Sequence, residues 1–130
     1  MHGSVAQMFG VVVGVVLTLL GIASLIVNAD FSTGSSITAE RLLFLDVNGW
    51  AGVLYLLTGL VAFAAAADKA RARTVAMAVG SLYLILTVWS LFDSSILGLL
   101  PVNDPTAIMY AAIGVIGVAG AMQPESERSA

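Results

Sequence analysis

The sequence predicts an all-α fold: a polytopic membrane protein with four transmembrane helices, arranged as two parallel helical-hairpin repeats. Three observations predict it. Of the 130 residues, 59% are hydrophobic and only 10% charged, with a mean hydropathy of +1.01, whereas soluble domains carry about a quarter charged residues. The charges cluster, leaving four runs without Asp, Glu, Lys or Arg: 1–28, 49–67, 74–92 and 105–124. Each run approaches the ~20 apolar residues that cross a bilayer core. Finally, part of the chain repeats. Leu45–Ala64 aligns without gaps on Leu100–Ala119, with identities at Leu45/Leu100, Val47/Val102, Asn48/Asn103, Tyr55/Tyr110, Gly59/Gly114 and Ala64/Ala119.

The first helix is expected at about Ala6–Val27. Val27-Asn28-Ala29 looks like a signal-peptide cleavage site, but no Lys or Arg precedes the apolar run and the run exceeds a typical signal core, so it reads as a retained helix. It contains Gly10-Val11-Val12-Val13-Gly14, a small-xxx-small pattern suited to close helix approach within the bundle or against another chain. The next segment holds Asp30, Glu40, Arg41 and Asp46; within it, Ile37–Leu45 mixes charge with Leu42, Leu43, Phe44 and Leu45. That mixture suits a short helix in the membrane interface or an edge that packs on a neighbour.

The second helix is expected at about Gly49–Ala67. Asn48 stands where it starts, as Asn103 does for the fourth helix, and asparagine there accepts a bond from an early helical N–H. At 100° per residue, positions 48, 55 and 59 share one face, as do 103, 110 and 114. Tyr55 and Tyr110 then lie about 10 Å below their caps, where a phenol needs a hydrogen-bond partner or contacts a lipid or quinone-like head group. Gly59 and Gly114 admit a close neighbour.

The third helix is expected at about Thr74–Phe92 and the fourth at about Thr106–Met122, with Asp104-Pro105 favouring the start of the latter. Val13-Gly14 and Ser24-Leu25 of the first helix return as Val79-Gly80 and Ser90-Leu91 of the third. Two-helix units return to their starting side, so the copies are parallel.

Asp68–Arg73 carries three of the five basic residues, and Arg128 lies in the polar tail 123–130. By the positive-inside rule, this multi-pass protein of the plasma (inner) membrane has both termini in the cytoplasm. Its acidic loops then face outward, with Trp50, Trp89 and Phe92 near the outer interface.

Composition also excludes chemistry. No cysteine is present and His2 is the single histidine, so no thiolate nucleophile, cysteine-ligated metal or histidine cluster is available. No charge falls in a helix centre, against the pattern of proton-coupled transporters and charged channel filters. Thr18, Ser24, Thr58, Ser81, Thr87 and Ser90 can bond their own helix carbonyls. No basic patch suits nucleic acid. No enzyme activity and no cofactor are expected.

At Val47–Gly59 and Val102–Gly117, and across nearly the whole chain, the sequence resembles a family of small four-helix membrane proteins found chiefly in actinobacteria and known as a domain of unknown function. In that family's pattern, the second helix opens with a valine and a His-Asn pair, then a histidine four residues before a glycine. Here Ala51-Gly52 and Tyr55 occupy those positions, and Thr106-Ala107 and Tyr110 occupy the corresponding ones in the fourth helix. The departure removes any histidine-based activity, while the resemblance implies a fold and no function. One Lys against four Arg and the Ala, Val and Gly richness fit a GC-rich actinobacterial source.

The sequence therefore points to a non-catalytic accessory subunit of a larger membrane complex, its partners being other membrane subunits and lipids. By analogy the host is an actinobacterial respiratory (cytochrome bc–oxidase) supercomplex. Two alternatives are a lipid- or quinone-binding protein using Tyr55 and Tyr110, and a homo-oligomer using Gly10 and Gly14.

Overall fold

The computed structural model describes residues 4–123; His2 and the tail positions 124–130 lie outside the described residues. Four helices form the body: α1 (Val5–Val27), α2 (Gly49–Ala65), α3 (Lys69–Ser90) and α4 (Asp104–Ala121). α1, α3 and α4 are long and apolar enough to cross a membrane. α2, with 17 residues, spans about 26 Å, a little under the ~30 Å of a bilayer core.

The helix boundaries follow their caps. Ser4 and Gln7 form a reciprocal capping box at the start of α1, which satisfies two early N–H groups at once. α3 begins at Lys69 rather than Thr74. Asp68 accepts from the Arg71 N–H at 2.9 Å, and the charged stretch Lys69–Arg73 forms the first turns, with only Ala72 buried. Its even spread of charge suggests a loop in the sequence, but the cap and the one-sided burial make it helical. α2 ends at Ala65 rather than Ala67, because Asp68 must leave helical geometry to cap α3. α4 starts at Asp104, two residues before Thr106, with Asn103 as cap.

The link from α1 to α2 contradicts the expected interfacial helix in Ile37–Leu45. It holds a 3₁₀ turn (Gly34–Ser36) and an antiparallel hairpin, β1 (Glu40–Leu42) with β2 (Leu45–Val47). Six residues give three ladder pairs, and Arg41–Asp46 is an ion pair at 2.9 Å. The α3–α4 link carries a smaller hairpin, β3 (Ser95–Ile96) with β4 (Leu100–Pro101). These two hairpins are the departure from a purely helical chain.

The helices pack as two tight pairs, α1 with α2 and α3 with α4, with lighter contacts between the pairs. Glycine sets the spacing. A Cβ on Gly59 would stand 2.5 Å from the Thr18 nitrogen, and one on Gly14 would stand 2.8 Å from the Phe63 nitrogen. In the other pair, a Cβ on Gly80 would stand 2.7 Å from the Val118 nitrogen, and one on Gly114 would stand 2.6 Å from the Leu84 side chain. Only glycine allows these backbones to approach so closely. At the α2–α3 loop end, the Gln7 side-chain amide donates to the Ala66 carbonyl at 3.0 Å and Arg73 Nε donates to the Ala121 carbonyl at 2.6 Å. Both bonds satisfy orphan carbonyls at helix C-termini. The outer shell is apolar, with Leu19, Ile26, Leu57, Val61, Ile85 and Ile108 all exposed.

Candidate functional site

The polar centre of the bundle is built on three tyrosines from three helices: Tyr55 of α2, Tyr83 of α3 and Tyr110 of α4, each 0% exposed. The Tyr55 and Tyr110 hydroxyls are 2.7 Å apart and hydrogen-bonded. Tyr83 bonds the Thr58 hydroxyl at 2.9 Å, and Thr58 Oγ1 also donates to the Leu54 carbonyl at 2.8 Å. The Tyr110 ring meets Tyr83 edge-on at 5.3 Å and Tyr55 at 6.2 Å, a favoured aromatic geometry. Every phenol in this centre therefore has a protein partner.

Tyr83 is the residue that sequence reasoning misses. Leu17 stands at the matching place in the first helix, so the repeat gives no hint of it. Its position three residues after Gly80, on the packed face of α3, is the signal that could have found it.

Asn48 and Asn103 do more than cap. Asn48 Oδ1 accepts from the Ala51 N–H at 2.8 Å, while its Nδ2 donates to the Leu99 carbonyl in the β3–β4 turn at 2.6 Å. Asn103 Oδ1 accepts from the Thr106 N–H at 3.1 Å and from the Thr106 hydroxyl. Its Nδ2 donates to the Phe44 carbonyl in the β1–β2 turn at 2.8 Å. Each asparagine thus starts one helix and holds the β-turn of the other half.

Gly59 and Gly114 lie in the tight seams just described. Gly10 and Gly14 also face α2: a Cβ on Gly10 would stand 2.7 Å from the Ala62 carbonyl oxygen. The glycine pattern of α1 is taken up inside the bundle, so that face is not free for another chain.

Two further polar features stand apart from this centre. Asp30 accepts from the Ser32 hydroxyl at 2.6 Å, the Ser32 N–H at 2.8 Å and the Thr38 hydroxyl at 2.9 Å. These bonds, those of Ser32 foremost, hold its carboxyl below the usual carboxylate range. Ser24 Oγ is buried without a partner. Among the described residues, no group of three or more His, Asp or Glu side chains is placed to hold a metal ion. Three of the surface grooves are lined almost wholly by apolar side chains, while two near the α2–α3 loop include Arg71, Arg73 and Thr74. The apolar one on α3, about 450 Å³, is lined by Leu84, Ile85, Val88, Trp89 and Phe92, and it does not reach the tyrosines.

Sequence comparison adds a family of unknown function. No curated protein and no solved structure matches the chain. A family model described as a domain of unknown function (DUF4383) matches residues 7–123, and with that match over nine-tenths of its length the chain belongs to this family.

Proposed function

We propose that this protein is a non-catalytic accessory subunit of a larger membrane complex, a small scaffold that presents apolar helix faces to neighbouring subunits and lipids. One observation carries the reading: the polar centre is closed on itself. The Tyr55–Tyr110 hydroxyl pair at 2.7 Å and the Tyr83–Thr58 pair at 2.9 Å give every phenol oxygen a protein partner, and all three side chains are fully buried, so none is open to a substrate or quinone. A lipid or quinone bound between Tyr55 and Tyr110 would have to break that pair first.

The scaffold reads as two parallel hairpin repeats about a pseudo-two-fold axis along the membrane normal. The support is positional. A shift of 66 residues relates α1 to α3, and a shift of 55 relates α2 to α4. Under these shifts the Gln7–Ala66 bond corresponds to Arg73–Ala121. The close approach of Gly59 to Thr18 corresponds to that of Gly114 to Leu84. The Asn48–Leu99 bond corresponds to Asn103–Phe44, as exchange across a two-fold requires. The Tyr55–Tyr110 pair then lies on the axis. The basic Lys69–Arg73 turn supports a cytoplasmic α2–α3 loop and cytoplasmic termini, which puts the β-hairpins outside.

The host complex is tested by extracting the tagged protein from native membranes in mild detergent, followed by blue-native electrophoresis, proteomics and an absorbance scan for haem. Recovery with stoichiometric partners supports the accessory role, and a haem-absorbing band supports a respiratory host. A small band without partners sinks the reading.

A further inference from the structure

Resting on the membrane reading above, we infer that the β1–β2 turn, Leu43-Phe44, is a re-entrant lipid anchor that dips into the outer leaflet beside α1. Three independent features of the hairpin carry this.

The first is position. Leu42 and Leu43 share one apolar groove, of about 350 Å³, with Val16, Leu19, Leu20 and Ala23 of α1. Ala23 lies about 6 Å and Leu19 about 12 Å along the helix from its end at Val27. α1, about 35 Å long, exceeds the ~30 Å bilayer core by only a few ångströms. When α1 spans the membrane, side chains packed beside Leu19 and Ala23 are therefore already at hydrocarbon depth. The groove continues the lipid-facing surface of α1, where Leu19 is 62% exposed.

The second is the order of polarity along the hairpin. Its base pairs Glu40 with Val47, its middle pairs Arg41 with Asp46, and its end pairs Leu42 with Leu45. Charge, neutralised charge and hydrocarbon follow one another along the hairpin, so its apolar end is the turn. The Arg41–Asp46 ion pair, with Arg41 exposed, lies at the level of the lipid phosphates.

The third is the turn itself. Leu43 has φ of +58°, a left-handed conformation that normally selects glycine or asparagine. The turn nevertheless uses leucine and phenylalanine, which stand 74% and 71% exposed. Neither side chain is needed for the protein core, so the strained backbone presents them to the surroundings. The Phe44 carbonyl, which would be costly to bury unpaired in lipid, accepts the bond from Asn103.

The chain has no cysteine, so single-site spin labels are clean. Labels at Leu43→Cys and, separately, Phe44→Cys are placed in the full chain and reconstituted in phosphatidylcholine–phosphatidylglycerol vesicles. Collision with oxygen is compared with collision with a water-soluble nickel chelate. Leu19→Cys serves as the membrane reference. The anchor predicts more oxygen than nickel contact at both turn positions, intermediate between Leu19 and water. Nickel-dominated contact at the turn, with Leu19 still lipid-like, overturns the anchor and leaves the membrane reading intact. Nickel-dominated contact at Leu19 overturns both. In native membranes, a photo-crosslinker at position 44 should capture lipid; stoichiometric capture of one polypeptide would assign the turn to a protein partner instead and overturn the anchor.

Discussion

Removing one hydroxyl from the central pair should cost more than removing both. In Tyr110→Phe the ring and its edge-on contacts with Tyr55 and Tyr83 remain, so packing is unchanged and only the 2.7 Å bond is lost. The Tyr55 hydroxyl is then fully buried without a partner, which costs about 1–3 kcal/mol. Tyr55→Phe should cost a similar amount for the mirror-image reason. Replacing both partners by apolar groups of the same shape is close to neutral, so the double variant should lose only about 0–1 kcal/mol. The two single losses less the double loss give a coupling energy of at least about 1 kcal/mol, and interhelical hydrogen bonds measured in membranes, which average about 0.6 and reach about 1.7 kcal/mol, favour the low end of that range. Tyr83→Phe is the internal comparison. Thr58 Oγ1 keeps its bond to the Leu54 carbonyl, so this variant should be milder than either single change at the pair. The assay is reversible unfolding in bicelles, by denaturing detergent or steric trapping, read as a double-mutant cycle. Strictly additive losses would refute the argument, since the two hydroxyls would then not be partners.

Three further outcomes follow from the same geometry. Gly59→Ala places a methyl 2.5 Å from the Thr18 nitrogen and should destabilise the α1–α2 pair by about 1–3 kcal/mol; Gly120→Ala, which meets the Val5 side chain at 3.2 Å, should be far milder in the same assay. Asn103→Ala removes a helix cap, worth about 1 kcal/mol, together with the link to the β1–β2 hairpin, so amide exchange should rise together at Asp46 and Thr106, whose N–H groups both donate to Asn103 Oδ1, whereas a change at Thr106 alone would deny the link to the hairpin. Asp30 has its folded-state pKa lowered by Ser32 and Thr38, so its contribution is present above the unfolded value near 3.8 and is lost as pH falls through the lower folded value; amide protection in the Asn28–Thr38 segment, taken relative to the intrinsic exchange rate at each pH, should stay flat across neutral pH and fall only under strong acid, with Asp30→Asn lowering it at pH 7.

The four helices were legible because charge avoids hydrocarbon: each charge-free run marks one helix. The Asn48–Tyr55–Gly59 stripe was legible because helical periodicity places those residues on one face, and all three are buried. What was not legible depended on contacts distant in sequence. Lys69–Arg73 looks like a loop until Asp68 is known to cap it. The β1–β2 turn lacks the glycine or asparagine that marks such turns, so Leu43-Phe44 suggests an interfacial helix or a packing edge instead of a turn. Tyr83 has no counterpart in the repeat, because its place in α1 is taken by Leu17. The second bond of each cap, from Nδ2 to a turn 51 or 59 residues away, leaves no local trace.

The most direct test of the accessory role is the native size of the untagged chain in gently solubilised membranes, followed by quantitative complexome profiling. For an accessory subunit, most of the 13.4 kDa polypeptide should migrate at fixed ratio with other membrane subunits in one much larger assembly. Migration of nearly all of it at its own mass plus detergent, with no polypeptide tracking it, would contradict the account.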